Sequence, residues 1–119
     1  MNPRSLQIYE LQAEICKALA HPLRLRILDL ISAGEKSGSQ LLEILKIPKA
    51  NLSQHLAVLK GAGILKERRL GLSRILALAI PQIEEACELI RKVLAQRLQL
   101  QGREAERARE VLKRQKRRA

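Results

Sequence analysis

Asn51-Leu52-Ser53-Gln54-His55-Leu56-Ala57-Val58-Leu59-Lys60-Gly61-Ala62-Gly63 has the spacing of an amphipathic helix. Leu52, Leu56 and Leu59 recur at four- and three-residue steps and form one inner stripe. Lys49, Asn51, Ser53, Gln54 and His55 crowd the first half of this helix, which runs over residues 49–60, and the two glycines close it. Upstream, Lys46-Ile47-Pro48 breaks the chain. Before that break, Ser37 and Gln40 have capping-box spacing, in which each side chain satisfies the other's free N–H. They open a short helix over residues 38–45 that buries Leu41, Leu42 and Leu45. Two short helices joined by a tight turn, the second polar on one side and leucine-rich on the other, predict a helix-turn-helix.

Working outward, residues 5–20 form a helix with Ile8, Leu11, Ile15 and Leu19 on one stripe. His21-Pro22 interrupts it, and proline suits the first turn of the next helix, where its missing N–H costs nothing. That helix turns Leu23, Ile27, Leu30 and Ile31 inward and ends at Gly34. After Gly63, residues 64–69 and 73–78 flank Leu70-Gly71-Leu72 and read as a hairpin with glycine at its turn. Pro81 opens a long helix in which Ile83, Cys87, Ile90 and Leu94 repeat at four, three and four residues, a coiled-coil-like seam. The expected architecture is therefore mainly α with a small β-hairpin wing, in the order α-α-α-α-β-β-α. Residues 1–101 form the expected domain, and residues 102–119 a basic helical extension whose end is solvated and frayed.

Composition narrows the function. Among 119 residues, 23 Lys and Arg face 12 Asp and Glu, a net charge of +11, which favours a polyanionic partner. The last 18 residues hold eight bases and three acids, and the body is basic without them. Tyr9 is the sole aromatic residue, so the core must be aliphatic, and an RNA-stacking platform is disfavoured. The chain has no paired carboxylates in an apolar setting, no nucleophile elbow and no glycine-rich phosphate loop, so an enzyme is not expected. No apolar run approaches the roughly 20 residues that span a bilayer. The opening Met1-Asn2-Pro3-Arg4 lacks a signal peptide's apolar segment. The expected compartment is the cytoplasm, with no membrane partner and no disulfide framework from two cysteines.

These features imply double-stranded DNA as the partner. Asn51 and Gln54 can pair with adenine, and Ser53 and His55 can meet bases or phosphates, with Lys49 beside them at the positive end of the helix dipole. Arg68, Arg69 and Arg74 flank the hairpin turn, where they can grip the backbone or enter the minor groove. The competing expectation is a sequence-indifferent, architectural nucleic-acid-binding protein.

Ala18-Leu19-Ala20-His21-Pro22-Leu23-Arg24-Leu25-Arg26-Ile27-Leu28 and the segment 51–65 resemble the opening signature and the recognition helix of ArsR/SmtB-type winged-helix repressors. The resemblance covers residues 15–80. It implies a homodimer through the first and last helices, an inverted-repeat operator and release by an effector. Family members that bind metal carry a Cys-x-Cys pair where Ser37 and Ser39 stand here. A second family site uses Asp and His where Ile80 and Gln82 stand. Neither set suits a soft metal, and no cofactor is expected. The resemblance also places Cys16 and Cys87 on the dimerising helices. Two readings stay open for them: a thiol sensor of oxidant, sulfur species or arsenite, and plain apolar packing. His21 is expected to cap or precede a helix.

Overall fold

His21 decides where the second helix begins. Its backbone is extended, and its Nδ1 accepts the Leu23 N–H at 3.1 Å, with Pro22 following at the first helical position. The structure, a computed structural model, describes residues 3–118, and the side chains of residues 6–102 and 106–117. Met1, Asn2 and Ala119, the outer limits of the two expected segments, lie outside the described residues. Helix α1 spans Pro3–Leu19 and α2 Pro22–Ser32. They are followed by β1 (Lys36–Ser37), α3 (Gly38–Leu45), α4 (Lys49–Gly61), β2 (Leu65–Leu70), β3 (Ser73–Leu78), α5 (Gln82–Gln99) and α6 (Arg103–Arg118). The chain divides into two units, one reaching Ile80 and one starting at Pro81.

In the first unit the capping box at Ser37 forms as its spacing predicts. Ser37 Oγ accepts the Gln40 N–H at 3.1 Å, and Gln40 Oε1 accepts the Ser37 N–H at 2.8 Å. Helix α3 ends at Lys46, which adopts the left-handed region (φ 52°) and donates its N–H to the Leu42 carbonyl at 2.8 Å. Pro48 follows, so the link to α4 is only three residues long.

Helix α4 ends in a Schellman pair. The Ile64 N–H reaches the Leu59 carbonyl and the Gly63 N–H the Lys60 carbonyl, both at 3.0 Å. Gly63 stands at φ 75°, where a side chain would be strained. Leu59 and Ile64, the two apolar residues this motif brings together, are fully buried. The chain then enters the hairpin. Leu70 pairs with Ser73 across a two-residue turn opened by Gly71 (φ 63°).

The sheet is antiparallel in the order β1-β3-β2. Strand β1 is absent from the sequence reading: it has two residues, Lys36 and Ser37, opposite Leu76 and Ile75, too few to show a period of two. The core of this unit is aliphatic. Ile27, Leu28, Leu41, Leu59, Ile64 and Leu76 are its most buried large side chains. Of the expected α1 stripe only Leu19 is buried, while Ile8, Leu11 and Ile15 are exposed.

In the second unit α5 and α6 pack as a helical hairpin across a turn containing Gly102 (φ 70°). The helix over residues 82–99 does not continue into a frayed end. Instead the chain turns back, and Lys116 lies 3.9 Å from Glu88. Ile83 and Cys87 are buried, whereas Ile90 and Leu94, the rest of the predicted seam, are exposed.

Packing of this kind is felt at single methyl groups. Leu59→Ala should cost about 2–5 kcal/mol of folding free energy. Val58→Ala, one residue away on the exposed side, should stay within about 0.5 kcal/mol. Urea denaturation midpoints at unchanged slope check both.

Candidate nucleic-acid interface

At about 100° per residue, α4 presents three different faces. Leu52, Leu56 and Leu59 point inward and are buried. Lys49, Ser53 and Lys60 form a second face, in step with Leu56. Gln54 points most directly outward, and Asn51 lies beyond it toward the far edge. Lys49, Asn51, Ser53 and Gln54 are all exposed, whereas His55 is half-buried. The five polar residues that lie together in sequence therefore spread round roughly 240° of the helix. They do not all share one surface.

The second face of α4 lines a groove of about 450 Å³. Gly38 and Ser39 at the start of α3, Lys49, Ser53 and Lys60 on α4, and Glu67, Arg69 and Arg74 on the wing surround it. Glu67 is the single acid among these lining residues, against four bases. Its carboxylate lies 3.3 Å from Lys60 Nζ and 4.0 Å from Arg74 Nε, so it ties the end of α4 to the wing.

The period of the strands separates the three wing arginines. Arg69 and Arg74 are directly opposite each other across β2 and β3 and both line the groove. Arg68 projects to the other face and meets Glu35 at 2.6 Å. That ion pair is half exposed on both sides, and such pairs are worth at most about 1 kcal/mol.

Behind α4 stands a cluster of polar groups. Arg24 Nε donates to the Ala18 carbonyl at 2.6 Å, and Nη2 donates to the Lys17 carbonyl at 3.3 Å, at the end of α1. Its Nη1 lies 3.3 Å from His55 Nδ1. A guanidinium only donates, so His55 accepts there, and its ring proton sits on Nε2. The His21 and His55 rings are 4.4 Å apart, tilted by 51°. Arg24 therefore links the last carbonyls of α1 to the middle of α4. The structure places His55 in this clasp instead of on the outer face of α4. Burial, then the neighbouring His21 ring and the Arg24 guanidinium, hold the His55 pKa below its usual 6.5.

Cys16 is exposed on α1, and Cys87 is buried on α5. No group of three or more His, Cys, Asp or Glu able to hold a metal occurs among the described residues. Ser37, one of the two positions that the resemblance aligns with a metal pair, is occupied in the α3 capping box. Sequence reasoning missed Arg24, Ser39 and Lys60. Lys60 is in step with Lys49, Ser53 and Leu56 at intervals of four, three and four, a signal that the leucine stripe obscured. Arg24 carries no local signal, since its partners lie six, seven and 31 residues away.

A family model described as a helix-turn-helix domain matches residues 19–68. The HTH-type transcriptional regulator Rv0081 of Mycobacterium tuberculosis is 44% identical over 89 residues, which are 74% of this chain and 78% of that protein. The chain belongs to the ArsR/SmtB-type winged helix-turn-helix regulators. The crystal structure of Rv0081 superposes with a TM-score of 0.74 at 40% identity, covering 85% of this chain and 98% of that one. The transcriptional repressor PagR of Bacillus anthracis is 34% identical over 82 residues, 68% of this chain and 82% of PagR. A Mycobacterium bovis domain, Mb0332, described as a homodimeric winged helix-turn-helix DNA-binding domain, superposes with a TM-score of 0.72 at 26% identity. It covers 79% of this chain and 87% of that one. In ArsR/SmtB terms, α3 and α4 are the helix-turn-helix, and β2 and β3 are the wing.

The clasp makes stability depend on pH with a definite sign. Folded His55 binds protons less readily than the unfolded chain, so its contribution is complete above pH 6.5. It is lost as pH falls below that value toward the folded pKa. Between about pH 7.5 and about pH 5.5, wild type should therefore lose more folding free energy than His55→Gln. Denaturant titrations of both proteins at the two pH values measure the difference.

Proposed function

We propose that this protein is a sequence-specific DNA-binding repressor that acts in the cytoplasm as a homodimer on an inverted-repeat operator. The observation that carries the reading is the outward face of α4. Gln54 stands exposed there, and Ser53 lines the adjoining groove, which has four bases and one acid. Base-edge contacts from such short side chains specify sequence, and phosphate contacts from Lys49, Arg69 and Arg74 fix register. Asn51 and His55 take part from the far edge of α4, where the Arg24 bond leaves His55 Nε2 carrying the proton. Arg68 reaches phosphate by exchanging its exposed partner Glu35 for DNA. No side chain caps the first turn of α4, so backbone N–H groups there remain available to a phosphate.

Dimerisation rests on two apolar surfaces. Helix α1 exposes Ile8, Leu11 and Ile15 on one face, and α5 exposes Leu89, Ile90, Val93 and Leu94. Contiguous apolar surface of this kind marks an interface. The relatives support the same reading: PagR is a transcriptional repressor, and the Mb0332 domain is homodimeric. We assign residues 1–101 to DNA binding and dimerisation, with residues 102–119 as the basic extension.

Release by a thiol-reactive effector completes the proposal. Cys16 is exposed on the same helix as the α1 apolar face, so an adduct there alters a dimerising surface. Oxidant or arsenite should release wild-type protein from operator. Cys16→Ser or Cys87→Ser should blunt that release, and unaltered release in both variants would return the two thiols to packing.

The DNA reading is tested on a duplex selected by the protein from a randomised pool, with a scrambled duplex as control. Gln54→Ala should lose about 1–3 kcal/mol on the selected duplex and little on the control. Equal losses on both would favour an architectural protein. Ile90→Asp should shift the protein from dimer to monomer in sedimentation, and an unchanged dimer would place the interface elsewhere.

A further inference from the structure

The second unit concentrates its charge on one helix. Helix α5 has three bases and three acids, whereas α6 has eight bases and three acids. From residue 111 to residue 118 there are five bases and no acid. Ala108, Leu112 and Gln115 are half-buried and mark the packed side of α6. Arg107, Arg114 and Arg117 are exposed on the other side, within a sector of roughly 80°, and Glu110 is the one acid among them. Arg109 and Lys116 are 4.0 Å from Glu106 and 3.9 Å from Glu88. Among the described residues no ion pair involves Arg107, Arg114 or Arg117.

The geometry points to α6 as a second, sequence-indifferent DNA surface, on which Arg107, Arg114 and Arg117 contact phosphates of a bound duplex. This inference rests on the DNA-binding reading above and adds an element outside the winged helix-turn-helix. A rigid helix places Arg107 and Arg114 about 10 Å apart along its axis, and Arg117 about 4.5 Å further on. A duplex carries a charge every ~1.7 Å, so all three can be met together. The charge pattern favours DNA over the other polyanions. A helix lying on a membrane needs a broad face of bulky apolar side chains, and Val111 is the one exposed large apolar residue among the described side chains of α6. An RNA platform needs aromatic stacking, and α6 has no aromatic residue.

The test compares Arg107→Gln/Arg114→Gln/Arg117→Gln with wild type. A second triple variant, Lys17→Gln/Arg26→Gln/Lys92→Gln, removes the same charge elsewhere. Affinity for the selected duplex and for the scrambled duplex is measured from low to high salt. Glutamine keeps the helix propensity of arginine, and circular dichroism confirms that helix content is unchanged. Three phosphate contacts per protomer, six in the bound dimer, predict a salt slope shallower by about five and, near 0.15 M salt, a loss of affinity on the order of 10,000-fold. The loss should be equal on both duplexes, because phosphate contacts carry no sequence information. The control triple should change the slope by less than about one. A slope equal to wild type, or a control triple that behaves like the α6 triple, overturns the inference. So does a variant whose only loss is on vesicles of anionic lipid or on duplex RNA. Failure of the DNA reading is distinguishable. If wild type bound both duplexes alike, α4 would lose its base-reading role, while the slopes on scrambled DNA would still report on α6.

Discussion

Leucine packing seats α4, and one guanidinium adds a directional tie to it. Leucine packing through Leu52, Leu56 and Leu59 is strong but weakly directional, so by itself it leaves the helix some freedom to roll about its axis. Arg24 restricts that freedom. It holds two carbonyls at the end of α1 and His55 Nδ1 in the middle of α4, with hydrogen bonds whose geometry is narrow. None of the described polar or charged side chains is fully buried, so this half-buried cluster supplies directional contact that the aliphatic core cannot. The same contact agrees with the leucine stripe on which residues of α4 face outward. His55 turns inward, and Gln54, one residue earlier and about 100° away, faces outward.

Much of the architecture was legible because its signals are local. Ser37 and Gln40 announce α3 by a reciprocal bond three residues long, and Gly63 ends α4 where only a left-handed residue serves. Pro48 and Pro81 mark breaks at which helices start. What escaped notice depends on distance. Strand β1 is two residues held in place by β3, nearly forty positions later, and Arg24 meets His55 across 31 residues. The return of α6 along α5 needed Gly102 to be read as a reversal, yet helix-forming residues on both sides masked it. At the interface, proximity in sequence is not proximity in space. Residues 49–55 look like one polar cluster, but nearly two turns of helix divide them among three faces. The α1 stripe is regular yet largely exposed. A regular apolar period shows that a face is covered by something, and it is silent on whether the cover is the same chain.

The wing follows the same rule of separation. Adjacent arginines on a strand face opposite ways, so Arg68 and Arg69 have different surroundings despite being neighbours. Arg68 is taken up by Glu35, and Arg69 faces Arg74 across the strands beside the groove. Like charges directly opposite on a sheet repel. Glu67 is two residues before Arg69 on the same face and lies within reach of both Arg74 and Lys60. One carboxylate therefore moderates the repulsion and also fastens the wing to the end of α4.

The clasp also joins two parts of the molecule that have different tasks. Lys17 and Ala18 end the helix whose apolar face is uncovered, and His55 belongs to the helix that carries Ser53 and Gln54. Between them stands one guanidinium, 2.6 Å from the Ala18 carbonyl and 3.3 Å from His55 Nδ1. Displacing the end of α1 by even a fraction of an ångström lengthens those bonds unless Arg24, and with it His55, moves too. The close-packed aliphatic core transmits such displacement as well, and the hydrogen bonds add a contact that weakens steeply with angle. Arg24 thus ties the end of α1 to the middle of α4 by a contact that does not involve the wing.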